Sequence, residues 1–243
     1  MYDVREGRAV EEMAGGVSGP ESALWDRMSA AVSPERAAYG GKRAVPGATI
    51  FLDRDGTINE EVHYLHRKED LKLLPMAAEA IRLWNEKGFR VVVVTNQAGV
   101  ARGYYGEQDV KALHRYMDQL LGRQGARIDG YYYCPHHPEH GIGRYKVKCH
   151  CRKPDTGMFE AAAQDGAVDK AHSYMVGDKW LDIQAGARFG VHTALVGTGY
   201  GKQLLEEYVR EHPGDKEELP MEHFGEDLYA VALWTLAREG LAE

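Results

Sequence analysis

The valines at positions 91–94 are the sequence feature that most restricts how this chain can fold. Four β-branched residues in a row leave no polar face, so a strand made from them must be covered on both sides. Central strands of a parallel sheet are covered in this way when helices lie on both faces. The run therefore predicts a buried strand over residues 89–94 of an α/β protein.

Other short apolar segments alternate along the chain with segments of helical periodicity. Strands are predicted over residues 48–52, 128–133, 173–176 and 191–196, helices over 76–87, 107–121, 156–163 and 180–189, and loops over 60–74 and 95–105. Strand–helix alternation is typical of a parallel sheet with right-handed crossover connections. After position 204 the chain is charged, and this tail is predicted to be helical at both ends.

The chain of 243 residues is long enough for one α/β domain with additions. Residues 1–46 are rich in Gly, Ala, Glu and Ser and lack a sustained apolar period, which predicts an N-terminal extension that can be flexible. Within it, residues 21–31 have the spacing of a short helix. We expect the α/β domain over residues 47–200, and a C-terminal helical tail over residues 201–243 that packs on it.

Acidic residues outnumber basic ones, 37 to 30, and no dense basic stripe is present. The composition therefore predicts no nucleic-acid partner. No apolar run reaches the length of a membrane span, and the N-terminal residues lack a basic segment followed by a hydrophobic one. We expect a cytoplasmic monomer without a membrane partner.

Two carboxylates, Asp53 and Asp55, follow the first predicted strand and precede Gly56. Residues two apart in an extended chain share a face, and open α/β sheets bind ligands at the carboxyl ends of their strands. One carboxylate can then act as a nucleophile while the other moves protons. The alternative is an ordinary Asp-Gly turn without chemistry.

Soft and borderline metal ligands are concentrated in residues 134–151, a segment too long to be structureless inside a compact domain. Two pairs with i, i+2 spacing complete a tetrahedral, structural Zn²⁺ set, namely Cys134 with His136 and Cys149 with Cys151. Zinc binding would order this loop. Rival ligands are His137, His140 and His150, and the other alternative is three reduced cysteines in a surface loop.

The order of the motifs along the chain resembles the haloacid dehalogenase-like (HAD) phosphohydrolases. The matching stretches are residues 51–59, 94–103, 132–138, 149–154 and 174–179. The residues in these stretches are similar to those of the D-glycero-D-manno-heptose 1,7-bisphosphate 7-phosphatase branch, whose close relatives are histidinol-phosphate phosphatases. The resemblance covers residues 49–199. It implies a Rossmann-like HAD fold, a parallel sheet with helices on both faces, a zinc-binding loop insertion and no large cap domain.

The resemblance also implies roles for the acidic positions. Asp53 is the nucleophile that forms an aspartyl-phosphate, and Asp55 is the acid for the leaving group and then the base for water. Mg²⁺ compensates the charge of carboxylates and phosphate, with Asp53, the Asp55 carbonyl and Asp178 as its ligands. Asp178 could instead cap the helix that follows it.

Other matching positions have expected roles in binding phosphate and sugar. Thr95 and Lys153 stabilise the transferred phosphoryl group, and the planar fork of Arg152 recognises the substrate. Lys153 and Arg152 could also be solvated surface cations. The predicted substrate contacts are Glu61, Val62, His63, Tyr64, Asn96, Gln97, Ala98, Arg152 and Lys179, of which Ala98 replaces a serine common in relatives.

The sequence thus predicts an Mg²⁺-dependent enzyme that removes the C7 phosphate of a phosphorylated sugar, D-glycero-D-manno-heptose 1,7-bisphosphate. A histidinol-phosphate phosphatase is the first alternative. A zinc-stabilised module that binds phosphosugars without turnover is the second, although such a module needs no nucleophile paired with an acid.

Overall fold

A computed structural model describes residues 43–212 and 220–242 of the chain. It contains six strands, β1 (Thr49–Leu52), β2 (Arg90–Asn96), β3 (Gly130–Cys134), β4 (Tyr174–Gly177), β5 (His192–Val196) and β6 (His223–Gly225). All neighbouring pairs are parallel, in the spatial order β3-β2-β1-β4-β5-β6. The predicted parallel sheet is therefore confirmed. The helix predicted over residues 21–31 lies outside the described residues.

Helices cover both faces of this sheet. They are α1 (Ala77–Lys87), α2 (Ala98–Ala101), α3 (Glu107–Gly122), α4 (Gly157–Asp165), α5 (Trp180–Phe189), α6 (Gly201–Glu211) and α7 (Leu228–Arg238). Val91 and Val93 pack with α1, α3 and α7 on one face, whereas Val92 and Val94 pack with α4 and α5 on the other. All four valines are fully buried, as the apolar run predicts.

The strand order changes direction at β1, which has β2 on one side and β4 on the other. Ligands of open α/β sheets bind at such a reversal, beside the carboxyl ends of the strands. Asp53 directly follows β1, and its amide donates to the Val176 carbonyl of β4 at 2.9 Å. The chain thus delivers its first carboxylate to the crevice where a ligand is expected.

Three parts of the fold differ from the sequence-based expectations. The predicted loop over residues 95–105 contains the short helix α2, and β2 continues to Asn96. Strand β6 is not predicted, because three residues are too few to show a strand pattern. The predicted domain limits at 46 and 200 remain predictions.

The C-terminal helix α7 packs against α1. The Trp84 indole donates to the Thr235 hydroxyl at 2.7 Å between these helices, and both side chains are fully buried. This hydrogen bond satisfies two polar groups that would otherwise be costly to bury. Among the residues that the structure describes, no helix is long and apolar enough to cross a membrane.

Candidate active site

A cleft of about 350 Å³ lies at the carboxyl ends of β1, β2 and β4. Its lining consists of Asp53, Asp55, Glu61, His63, Tyr64, Thr95, Asn96, Gln97, Ala98, Tyr105, Arg152, Lys153, Lys179, Leu181 and Tyr200. Residues predicted for catalysis and substrate contact therefore meet in one place. Val62 borders a neighbouring depression instead, and Asp178 is fully buried beneath the floor of the cleft.

Asp53 is paired with a buried lysine. Lys153 Nζ lies 2.9 Å from Asp53 Oδ1 and donates to the Val94 carbonyl at 2.6 Å. Burial by itself would raise the pKa of Asp53, but the charges of Lys153 and Lys179 outweigh it and hold that pKa below its ordinary value. Asp53 is consequently an anion, which is the form that can attack phosphorus.

Asp182 belongs to the site, although the sequence patterns do not predict it. Its Oδ1 lies 2.7 Å from Lys153 Nζ, and its Oδ2 accepts from the Lys179 amide at 3.1 Å. Burial raises the pKa of Asp182 to about 6, although the charge of Lys153 opposes that rise. The only sequence signal is its position four residues after Asp178, which places an acid in the first turn of the following helix.

Asp178 provides the clearest test of whether this site fits a metal ion. Its Oδ2 accepts from the Tyr200 amide at 3.0 Å, whereas its buried Oδ1 accepts no hydrogen bond from the described residues and has only the Lys179 ammonium 3.5 Å away. Carboxylate oxygens of Asp53, Asp178 and Asp182 all lie within 4.8 Å of one another. Buried acceptors are normally satisfied, and hard divalent cations prefer carboxylate oxygens. This donor set therefore fits Mg²⁺.

Two glycines allow the backbone to pass close to Asp178. A Cβ on Gly56 or on Gly199 would lie 2.2 Å from Asp178 Oδ2, and both residues have positive φ angles. Any larger residue would displace this carboxylate or strain the backbone. The two turns thus hold the carboxylate at its position.

We expect metal-free protein to lose stability as pH rises from about 4 to about 8, and Mg²⁺ to restore it. Burial raises the pKa of Asp178 to about 8, against about 3.9 for an unfolded aspartate. The folded chain thus binds this proton more tightly, so its contribution is complete below pH 4 and is lost through pH 8. Because Mg²⁺ binds the carboxylate, the gain in Tm on adding it should increase over this window.

Thermal unfolding in EDTA and in Mg²⁺, at several pH values, measures this effect. A hundredfold excess of Mg²⁺ over its Kd should add about 2.7 kcal/mol to the free energy of unfolding. Asp178→Asn is the matched control, because it keeps the shape of the side chain and removes its charge. A Mg²⁺-dependent gain that is the same at every pH, or unchanged in Asp178→Asn, would contradict the assignment.

Several predicted substrate contacts are already hydrogen-bonded within the protein. The Asn96 amide donates to the Lys153 carbonyl at 3.1 Å and accepts from the Lys153 amide at 3.0 Å. Lys179 Nζ forms an ion pair with Glu61 at 3.0 Å and lies 5.0 Å from the Tyr200 ring. Three lining residues are not predicted by the sequence patterns, namely Tyr105, Leu181 and Tyr200. The position of Tyr200 follows from the turn at Gly199.

The four predicted zinc ligands converge in the loop after β3. The three sulfur atoms of Cys134, Cys149 and Cys151 are 3.2 to 3.4 Å apart, and His136 Nδ1 is 3.3 Å from Cys151 Sγ. Hydrogen bonding from Cys134 lowers the pKa of Cys151 to about 5. Three sulfurs and one imidazole nitrogen at these separations fit a tetrahedral Zn²⁺ ion.

The rival histidines make other contacts. His150 Nε2 lies 3.0 Å from the Glu160 carboxylate, and His137 Nδ1 accepts from the amides of Glu139 and His140. The candidate zinc cluster is also connected to the cleft, because Arg152 Nη1 donates to the His136 carbonyl at 3.2 Å. Ordering of this loop therefore bears on the position of Arg152 and the adjacent Lys153.

Known proteins with similar sequences are sugar phosphatases. A family model described as HAD-hydrolase-like matches residues 150–216. The D-glycero-beta-D-manno-heptose-1,7-bisphosphate 7-phosphatase of Haemophilus ducreyi is 47% identical over 161 residues, which cover 65% of this chain and 85% of that protein. A D-glycero-D-manno-heptose-1,7-bisphosphate 7-phosphatase of Thermosynechococcus vestitus is 41% identical over 194 residues, covering 78% of this chain and 96% of that one.

A solved structure supports the same relationship. The crystal structure of D,D-heptose 1,7-bisphosphate phosphatase from B. bronchiseptica, complexed with magnesium and phosphate, matches with a TM-score of 0.67 and 33% sequence identity. The match covers 79% of this chain and 99% of that chain. The predicted HAD-like fold is therefore confirmed.

Proposed function

The chain belongs to the D-glycero-D-manno-heptose-1,7-bisphosphate 7-phosphatase family of HAD-like hydrolases, and on that premise we propose that it removes the C7 phosphate of this bisphosphate through an aspartyl-phosphate. The observation that carries the proposal is the arrangement of Asp53, Asp55 and Lys153. The nucleophile, the acid/base and a buried cation line the same cleft. A binding module has no need of this combination.

In the first half-reaction an Asp53 oxygen bonds to phosphorus as the bond between phosphorus and the leaving oxygen breaks. Asp55 gives its proton to that oxygen, so the sugar leaves as an alcohol. In the second half-reaction a water oxygen bonds to phosphorus, its proton passes to Asp55, and the bond from phosphorus to Asp53 breaks. Phosphate leaves, and both carboxyl groups return to their starting forms.

Lys153 and Thr95 support both steps. The Lys153 ammonium lies beside Asp53 and can neutralise charge on the phosphoryl oxygens. The Thr95 hydroxyl accepts from Gln97 Nε2 at 2.9 Å, which leaves its own hydrogen available as a donor toward the cleft.

Two metal ions complete the proposal. Asp53, Asp178 and the Asp55 carbonyl would hold Mg²⁺, which supplies a positive charge that lets carboxylates and a phosphate dianion approach each other. Cys134, His136, Cys149 and Cys151 would hold a structural Zn²⁺. The zinc set is supported by the convergence of its four ligand atoms. The magnesium set is supported by the proximity of the Asp53 and Asp178 carboxylates and by buried Asp178 Oδ1, which accepts no hydrogen bond from the described residues.

Arg152 and Arg102 favour a substrate with a second phosphate. Within residues 43–212 and 220–242, neither guanidinium forms an ion pair, and buried Arg102 Nε has no hydrogen-bond partner. Both are near His137, because their charges add to burial in lowering the pKa of that histidine. Arg152 lines the cleft, and the Arg102 guanidinium lies 5.8 Å from the ring centre of Tyr64, another lining residue. Two guanidinium groups without ion pairs at this edge of the cleft suit the phosphate that is not hydrolysed.

We expect Arg152→Gln to lower kcat/KM for the bisphosphate about 10- to 100-fold, as the loss of one charge-assisted contact would. The value for the corresponding 7-monophosphate should change little, since that substrate lacks the second phosphate. The control is Arg144→Gln, which removes an exposed guanidinium from the same loop. An equal loss on both substrates would contradict this role for Arg152.

Parallel steady-state measurements on the heptose bisphosphate and on histidinol phosphate test the proposed substrate. We expect the higher kcat/KM for the heptose bisphosphate. A higher value for histidinol phosphate would replace the proposed substrate, and binding of both without phosphate release would support a non-catalytic module.

We further propose a monomeric enzyme of the cytoplasm. Three thiols gathered for metal binding rather than for disulfides suit a reducing compartment. Sedimentation measurements on the full chain would test the oligomeric state.

A further inference from the structure

Arg54, between the two catalytic aspartates, is a buried charge that the reaction steps above do not use. Its side chain is fully buried, although arginine is almost never fully buried unless it is paired. Its partner is Asp55. Nη2 lies 2.8 Å from Asp55 Oδ2 and 3.0 Å from Oδ1, and Nε donates to Oδ1 at 3.1 Å.

The guanidinium is itself held from the far side by His114 of α3. Arg54 Nη1 lies 3.4 Å from His114 Nε2. Burial, together with the charge of Arg54, lowers the pKa of His114 to about 3, so its imidazole is neutral and can accept this hydrogen bond. The imidazole is stacked on the Tyr131 ring with a centroid distance of 4.3 Å, which fixes its plane.

Gln97 completes the group. Its Nε2 donates to Asp55 Oδ2 at 3.1 Å and to the Thr95 hydroxyl at 2.9 Å. Its Oε1 accepts from the Tyr105 hydroxyl at 2.9 Å and from Arg54 Nη2 at 3.3 Å. Every polar atom of this buried amide has a partner, so the amide has one preferred orientation.

These contacts hold both oxygens of the acid/base carboxylate. Asn59 Nδ2 adds a donor to Asp55 Oδ1 at 3.0 Å, beside the two from Arg54. A carboxylate with donors on both oxygens cannot rotate without breaking several charge-assisted hydrogen bonds. Proton transfer needs such fixed geometry, because a misplacement of about 1 Å can cost 100-fold in rate.

We propose that Arg54 is the positioning residue of the acid/base carboxylate: with Gln97 it holds Asp55 in one orientation, and His114 holds Arg54. This inference rests on the proposed two-step hydrolysis, in which Asp55 acts once as acid and once as base. A defect in its position slows both half-reactions. The leaving group of the substrate decides whether the slower first half-reaction, the slower second half-reaction or both limit the measured rate.

The test compares Arg54→Met, Arg54→Lys and His114→Phe on two substrates. The sugar bisphosphate needs a proton on its leaving oxygen, whereas p-nitrophenyl phosphate releases a stabilised phenolate and needs none. With the aryl ester, only hydrolysis of the aspartyl-phosphate should be slow. We expect a burst of about one p-nitrophenolate per active site, followed by turnover about 100-fold below wild type in Arg54→Met.

The other two variants should reduce turnover less than Arg54→Met does. Arg54→Lys keeps the positive charge but loses the planar guanidinium, so its turnover rate should fall about 10-fold. His114→Phe keeps an aromatic ring beside Tyr131 but removes the hydrogen-bond acceptor for Arg54. We expect its turnover rate to fall about 3- to 10-fold, with the same burst of p-nitrophenolate. With the sugar bisphosphate, turnover should fall without a burst, because the first half-reaction is slowed as well.

Arg90→Lys is the matched control. The Arg90 guanidinium donates to the carbonyls of Ala162 and Gly166 from the start of β2, away from the cleft. A purely structural role would lower burst and steady rate together, as unfolding does. That result in the Arg54 variants, or wild-type kinetics in Arg54→Lys and His114→Phe, would overturn the proposal.

If Arg54→Met does not fold, Arg54→Lys and His114→Phe decide the question. An incorrect substrate assignment would give a different result, because wild-type protein would then hydrolyse p-nitrophenyl phosphate but not the heptose bisphosphate. In that event the aryl ester still tests the role of Arg54.

Discussion

Replacement of Asp53 by asparagine is expected to lower kcat for phosphate release by about 10⁴-fold or more, as the loss of a covalent nucleophile does in other hydrolases. An amide oxygen is a poor nucleophile and carries no negative charge. The fold should survive, because Lys153 keeps its ion pair with Asp182 at 2.7 Å and its hydrogen bond to the Val94 carbonyl. The variant should still bind substrate.

Acid-quenched enzyme, analysed by mass spectrometry during turnover, distinguishes the covalent route from direct attack by water. Wild type should show one added phosphoryl group on Asp53, and Asp53→Asn should show none. Asp70→Asn is a suitable control, since Asp70 forms an exposed ion pair with Arg67 and does not line the cleft. Phosphate release at the wild-type rate by Asp53→Asn would contradict the aspartyl-phosphate.

Replacement of Cys151 by serine is expected to have the second large effect, because it removes one of the proposed zinc ligands. We expect zinc to fall from about one per chain to near zero. The free energy of unfolding should fall by about 4 kcal/mol, and Tm by about 8 to 16 °C, since loss of a metal is among the few causes of such large changes. Catalysis should fall as well, because Arg152 and Lys153 follow Cys151 directly.

Metal analysis and thermal unfolding on the same samples check this result. His140→Asn is the matched control, because it removes a histidine of the same loop that lies outside the candidate zinc cluster. It should keep zinc and the wild-type Tm. Retention of full zinc and stability by Cys151→Ser would remove this residue from the ligand set.

Much of the fold follows from local sequence patterns. The apolar runs predict five of the strands within about two residues, because a strand covered on both faces needs an uninterrupted apolar segment. Strand β6 and helix α2 are too short to show a period. Strand β6 forms because it pairs with β5, and helix α2 forms in the turn after β2. Sequence periodicity does not reveal such tertiary contacts.

The candidate site also contains residues that the sequence predicts and residues that it does not. Asp53, Asp55 and Asp178 are predictable, since each follows a strand and lies in a motif. Asp182 and the part played by Arg54 are not, because their meaning comes from contacts with residues distant in sequence. Gln97 shows the difference well: the motif suggests a contact with sugar, whereas its amide is hydrogen-bonded within the protein.

The ion pair between Asp53 and Lys153 joins residues 100 positions apart. Contacts of such large sequence separation form late and slowly during folding, because the entropy of closing a long loop must be overcome first. Helical signals can therefore recover in a refolding chain before these two charges meet. Regain of hydrolysis would report completion of folding rather than formation of secondary structure, so an activity assay can time the last stage of assembly.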